Sequence, residues 1–154
     1  MLKTRILLGL FLIVGVLSSC KKDFDPEEQA KKDDALIVDF IAKNSIVAVK
    51  HSSGIYYQKI VDGSGADVTV SNTVYVTYEG KLLNGSVFDK STSTINFPLN
   101  RVIAGWQIGI PLIKKGGKIR LIIPSALAYG NTSPGPGIPE NAVLDFTVDL
   151  IDVQ

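Results

Sequence analysis

From Ile55 onward the 154-residue chain is written as short strand-like runs separated by turn residues, with a single helical interruption. Residues 55–61 are β-branched and aromatic and stop at Asp62-Gly63-Ser64-Gly65. Residues 73–78 alternate, with Val74, Val76 and Tyr78 on one face and Tyr75 and Thr77 on the other. Asn84-Gly85 predicts a hairpin turn between residues 81–83 and 86–88. Ile95, Phe97 and Leu99 share one face of another short strand, and residues 118–123 and 143–151 supply two more. Only residues 102–110 read as helix here: Trp106 and Ile110 lie four apart, and Pro111, which lacks an N–H, should close it. One short apolar helix among antiparallel strands can be buried only if the sheet wraps it, so the expected class is α+β.

Ahead of this region the pattern is different. Asp25-Pro26-Glu27-Glu28 has the order of a helix start, with Asp25 as N-cap, Pro26 in the first position and Glu28 at the third. The helix is expected to reach about Asn44, with Leu36, Ile37, Phe40 and Ile41 as its apolar stripe and Ala30 and Asp33 on its polar side or edge. It either packs on the domain or serves as a stalk; a partner or dimer surface is the sharper alternative. Residues 21–25 read as a polar tether.

The first residues do not belong to a fold. Lys3 and Arg5 precede an apolar run over residues 6–17, shorter than the roughly 20 residues a membrane span needs. The run matches the apolar region of a secretory signal peptide. Leu17-Ser18-Ser19-Cys20 resembles the lipobox of bacterial lipoproteins, which implies cleavage before Cys20 and a diacylglycerol thioether on its thiol. Cys20 is the chain's only cysteine. Cleavage there removes two basic residues and no acidic one, so the formal charge passes from +1 to one unit negative. Such a balance gives no reason to expect nucleic acid as partner.

With one cysteine and one histidine, no intramolecular disulfide and no Cys/His zinc site can form, and a Ser-His-Asp triad would have to use His51. Lys114-Lys115-Gly116-Gly117-Lys118 lacks the spacing and the following Ser/Thr of a phosphate loop and reads as an exposed turn. No cofactor or metal is expected.

Between Val76 and Phe146 several short pieces occur in order: Val76-Thr77-Tyr78-Glu79-Gly80, Gly85-Ser86-Val87-Phe88-Asp89, Val102-Ile103-Ala104-Gly105-Trp106, Ala128-Tyr129-Gly130, Gly137-Ile138-Pro139 and Leu144-Asp145-Phe146. Each alone is weak. Together, at this spacing, they resemble the FKBP family of peptidyl-prolyl cis-trans isomerases, over roughly residues 45–154. The resemblance implies an FKBP-like antiparallel sheet around one short α-helix, here with an N-terminal helical extension. The implied layout is a leader over 1–19, a lipidated tether and helix over 20–44, and an isomerase domain over 45–154.

The family's pocket, carried over residue by residue, makes Trp106 the floor on which a proline ring rests. Tyr78, Phe88, Val102, Ile103 and Phe146 become apolar walls, and Asp89 sits at the rim. Tyr129 directs its hydroxyl to a substrate carbonyl, and the Ile103 N–H is a second donor. Ile138 lies in the overhanging loop. The strand before the helix offers Ile95 and Phe97 toward the pocket, and Phe97 with Ile138 is assigned to substrate binding. Without the joint spacing these aromatics would pass for ordinary core, and Asp89 for a turn former. The loop over residues 131–137 has no aromatic residue or histidine, which leaves the affinity for macrolide inhibitors open.

Such a site needs no histidine and no metal. Rotation about an X-Pro bond faces a barrier of roughly 18–20 kcal/mol because the planar amide loses resonance midway. The twisted amide has lost its charge-separated form, so a dry aromatic pocket favours it over the planar one. Proline-containing polypeptides, secreted or of the cell envelope, are the expected clients during their folding, with a lipid membrane as partner through acylated Cys20. A catalytically weak FKBP-like binding module, or a purely structural envelope lipoprotein, are the competing functions.

Overall fold

The computed structural model describes residues 24–154. The leader expected over 1–19, the expected lipidation site Cys20 and the first residues of the expected tether lie outside the described residues. Among the described residues no helix is long and apolar enough to cross a membrane.

Helix α1 spans Pro26–Lys43. It starts where expected, because the Asp25 carboxylate accepts from the backbone N–H groups of Glu27 at 2.9 Å and Glu28 at 3.2 Å. Acidic residues at its first turn and Lys43 at its last suit the helix dipole. The Asn44 side chain bonds back to the Phe40 carbonyl at 2.8 Å, and Ser45 takes a left-handed φ of 52° to turn the chain away.

Seven strands follow, β1 (Val49–Lys50), β2 (Tyr56–Val61), β3 (Thr73–Leu82), β4 (Val87–Lys90), β5 (Ile95–Pro98), β6 (Lys118–Ile123) and β7 (Leu144–Val153), with helix α2 (Ala104–Gly109) between β5 and β6. They form one antiparallel sheet ordered β1-β2-β6-β7-β3-β4. Along its other edge β3 pairs with β5 over Thr73–Val76 and with β4 over Glu79–Lys81. The Asn84-Gly85 turn forms as read, with Gly85 at a φ of 88° and its N–H bonded to the Leu82 carbonyl at 2.9 Å.

Strand β6 shows how the sheet uses both faces. Ile119, Leu121 and Ile123 join the main core with Trp106, Ile110 and Leu144. An added Cβ at Gly105 or Gly109 would collide with Ile123 or Leu121, so glycine is what lets α2 lie directly on β6. Ile122 points the other way and joins a second cluster with Ile37, Ile46, Tyr56 and Val143, with Phe40 and Ile41 packed against it. Helix α1 therefore packs on the domain, on the face opposite α2.

Four expectations need correction. Asp33 is not on the polar side of α1: it is fully buried. Leu36, read as part of the apolar stripe, is 52% exposed, because the helix turns Asp33, Ile37, Phe40 and Ile41 inward instead. The helix read over 102–110 is shorter, since Val102 and Ile103 stay extended with ψ of 175° and 147°, and α2 begins at Ala104. Pro111 does not stop the chain at once; it sits in a 3-10 turn over Ile110–Leu112, near the start, where a missing N–H costs nothing.

Candidate functional site

Strand β3 brings Tyr78 and Gly80 to the face that meets α2. The Tyr78 backbone is held by Ser91, whose Oγ accepts from the Tyr78 N–H at 2.8 Å and whose N–H donates to the Tyr78 carbonyl at 3.0 Å. Gly80 stands between two rings: a Cβ there would lie 2.7 Å from both Phe88 and Phe146. Only a residue without a side chain allows both rings to close over the strand.

Trp106, 4% exposed, is surrounded edge-on. The Tyr78 ring is 5.2 Å away at 83°, Phe146 is 5.3 Å away at 81° and Phe97 is 5.9 Å away at 87°. Phe88 in turn stands edge-on to Phe146 at 5.5 Å. Such T-shaped pairs present positive ring edges to negative ring faces and add about 0.5–1.5 kcal/mol each beyond their area. The indole Nε1–H is buried and has no hydrogen-bond partner among the described residues.

Above the indole these residues leave a cavity of about 310 Å³, lined by Tyr78, Phe88, Asp89, Phe97, Arg101, Val102, Ile103, Trp106, Tyr129 and Phe146. Most of the residues that the resemblance assigned to a pocket meet here, separated by up to 68 positions in sequence (Tyr78 to Phe146). Phe97 faces this cavity, whereas Ile95 is 42% exposed and does not line it. Ile138 lies outside it, in an adjoining recess of about 200 Å³ that shares Phe88, Asp89 and Tyr129. That recess is walled by the 131–137 loop, which Ser133 braces by donating to the Ile138 carbonyl at 2.6 Å.

The polar groups are few. Tyr78 Oη donates to Asp89 Oδ2 at 2.6 Å. Burial, then the hydrogen bond to Asp89, hold the Tyr78 phenol well above the ordinary tyrosine range. Tyr78 therefore stays a neutral donor and Asp89 stays tied to the rim. Burial and the nearby Asp89 charge also raise Tyr129. The Tyr129 side chain is 40% exposed, and its hydroxyl has no hydrogen-bond partner among the described residues. The Ile103 N–H is likewise without an acceptor among them. It is left free because Ile103 caps α2 in extended form while Gln107 Nε2 holds the Val102 carbonyl at 2.7 Å.

Sequence reading passed over two members of this site. Gly80 carried a usable signal, a glycine inside an alternating strand, which marks close approach of another group. Arg101 carried none. It is exposed at the cavity wall and has no carboxylate partner, whereas among the described residues every other lysine and arginine except Lys31 has one.

A family model described as "FKBP-type peptidyl-prolyl cis-trans isomerase" matches residues 65–151. The protein named FKBP-type peptidyl-prolyl cis-trans isomerase FkpA of Escherichia coli (strain K12) is 46% identical over 106 residues, covering 67% of this chain and 39% of that protein. A probable FKBP-type peptidyl-prolyl cis-trans isomerase of Haemophilus influenzae is 43% identical over 105 residues, 66% of this chain and 44% of its own length. The chain thus spans less than half of these relatives. Among solved structures, that of E. coli FkpA superposes with a TM-score of 0.72 at 40% identity, covering 83% of this chain and 62% of that one. A peptidyl-prolyl cis-trans isomerase from Pseudomonas syringae pv. tomato superposes with a TM-score of 0.74 at 32% identity, over 86% of this chain and 98% of that one.

Proposed function

This chain belongs to the FKBP-type peptidyl-prolyl cis-trans isomerase family, and from that premise we propose that it catalyses cis-trans isomerisation of X-Pro bonds in polypeptides at the cell envelope. The observation that carries the reading is the aromatic cavity over Trp106, open and apolar, with two unpartnered donors at its edge. Its size, about 310 Å³, sits at the lower end of ligand pockets and suits a proline ring with its flanking amide.

The steps use only what these residues offer. A proline ring rests on the Trp106 face, between Tyr78, Phe97 and Phe146, and water leaves the cavity. The Tyr129 hydroxyl and the Ile103 N–H hold the substrate chain through its carbonyls on either side of the rotating bond. As the amide twists it becomes less polar, and a desolvated aromatic environment disfavours it less than the planar form; binding is therefore tighter at the midpoint. No proton is transferred. Asp89 orients Tyr78 and contributes its field. Ile138 and the adjoining recess receive a residue further along the substrate.

Acceleration of an X-Pro peptide in an NMR exchange assay at micromolar protein tests this. Binding of the peptide without acceleration would leave only a binding module. The same pocket is the expected site for macrolide inhibitors.

The reading extends to anchoring at Cys20. Support comes from the basic start, the short apolar run and the Leu17-Ser18-Ser19-Cys20 segment. More than one acyl chain is needed for firm attachment, since one alone binds marginally. Cys20→Ser is expected to move the protein from the membrane fraction to the soluble fraction; membrane retention would refute lipidation.

A further inference from the structure

Asp33 is a carboxylic acid with no exposure to solvent, on the helix whose apolar contacts already hold it to the sheet. Burying a carboxylate is costly unless each oxygen is met by donors. Here both are. Oδ2 accepts from the Ser125 backbone N–H at 2.8 Å and from the Ser125 hydroxyl at 2.6 Å, and Oδ1 accepts from Gln29 Nε2 at 2.7 Å. An apolar residue could have packed α1 in place. What a carboxylate adds is direction, through hydrogen bonds of fixed geometry to one residue on the other side of the junction.

That residue is the first of a 3-10 turn, Ser125–Leu127, which leads into Ala128, Tyr129 and Gly130. The Ser125 carbonyl accepts from the Ala128 N–H at 2.9 Å and from the Gly130 N–H at 2.8 Å, the two neighbours of Tyr129. Gly130 is secured again by its carbonyl, which accepts from the Asn141 N–H at 2.8 Å. The Tyr129 hydroxyl itself has no partner among the described residues. Where that hydroxyl stands is therefore set by the backbone of 125–130, and this backbone is gripped from behind by Asp33.

We propose that Asp33 is a positioning residue of the isomerase site, acting through Ser125 on Tyr129, so that helix α1 is a working part of the catalytic unit and not only its cover. The inference rests on the reading of Tyr129 as a substrate donor.

The test uses the full-length chain as wild type, Asp33→Asn, Ser125→Ala, Tyr129→Phe and the double variant Asp33→Asn/Tyr129→Phe, each assayed for X-Pro isomerisation and for amide hydrogen exchange. Loss of one orienting hydrogen bond predicts a fall of about fivefold in kcat/KM for Asp33→Asn or Ser125→Ala. In the Tyr129→Phe background Asp33→Asn should change kcat/KM less than twofold, by the non-additivity of groups that act as a unit. The same fold-loss in both backgrounds, or none in folded Asp33→Asn, overturns the proposal. Hydrogen exchange is read whether or not the chain is active. The Ala128 and Gly130 amides should exchange about tenfold faster in Asp33→Asn, with β7 amides unchanged. Unchanged Ala128 and Gly130 exchange overturns the coupling itself, whereas faster exchange with no effect of Tyr129→Phe on activity overturns the Tyr129 reading. Should Asp33→Asn fail to fold, Ser125→Ala keeps the buried carboxylate and its N–H donor and carries the same comparison.

Discussion

Among the concavities of the described residues, the cleft beside α1 is larger than the cavity over Trp106, yet it is not where the aromatic residues are. The cleft beside α1, about 540 Å³, is lined by Glu27, Lys31, Asp33, Asp34, Lys50 and mostly aliphatic residues, with no aromatic ring. The cavity over Trp106 is smaller, about 310 Å³, yet has Tyr78, Phe88, Phe97, Tyr129 and Phe146 around its floor. They share no lining residue. Their sides of the sheet differ in kind. The α1 side is a seam closed by apolar contacts, Tyr56 and Phe40 among them, and by Asp33, and it leaves no ring-lined hollow. The α2 side has a hole because its rings stand edge-on around the indole and do not collapse onto one another. Volume does not mark the proposed site; an aromatic lining with a few unpartnered donors does, because such a lining would favour a twisted amide over a planar one.

The contrast breaks most sharply at Ile122, which is 1% exposed on the α1 side of β6. Ile122→Ala is expected to lower unfolding free energy by about 2–5 kcal/mol. Chemical denaturation reads that loss, and kcat/KM of the folded fraction should stay within about twofold, because Ile122 packs in the seam but takes no part in the Asp33–Ser125 hydrogen bonds. A parallel loss of activity would merge them. Trp106→Leu is the mirror experiment. Losing the flat floor should cut kcat/KM by about tenfold or more, an effect of at least ~1.4 kcal/mol on the barrier. A variant that unfolds early but turns over normally would make Trp106 core only.

A smaller effect concerns alkaline pH. Tyr78 is raised in the folded state, first by burial and then by Asp89, so folding favours its protonated form. Its contribution to stability is complete below the ordinary tyrosine value near 10 and is lost as pH rises beyond it. Absorbance of tyrosinate should show a late-titrating group that Tyr78→Phe removes and that Asp89→Ala shifts downward. Titration with the remaining tyrosines would mean the Tyr78–Asp89 bond does not persist in solution. The smallest expected change is at Arg101. An unpaired cation at the cavity wall should favour peptides with an acidic residue near the proline by about two- to fivefold, since rim charges are worth ~1 kcal/mol or less. Arg101→Glu should invert the preference, and about 1 M salt should erase it, because screening then acts within ~3 Å. A preference that ignores both would place its origin elsewhere.

Much of this was legible beforehand. The alternation of Val74, Val76 and Tyr78, the Asn84-Gly85 turn and the Asp25-Pro26 start are local signals, set by periods and caps that operate over a few residues. Read together, the short pieces from Tyr78 to Phe146 placed the walls and floor of one cavity. What escaped was non-local. Asp33 looked like a surface residue because its partner, Ser125, is 92 positions away. Val102 and Ile103 are the local exception: they looked helical, yet Gln107, five positions after Val102, holds the Val102 carbonyl while the Ile103 N–H is left without an acceptor among the described residues.

The sequence by itself determined the α+β class, the strand faces and the cap of α1, since each follows from side-chain chemistry and short-range geometry, while the pocket residues were implied by the family resemblance. Tertiary structure alone decided which polar groups are satisfied and which are left open. That distinction depends on donors and acceptors brought together from distant strands and loops, and it separates a buried, fully bonded Asp33 from the Tyr129 hydroxyl, which lines the cavity with no hydrogen-bond partner among the described residues.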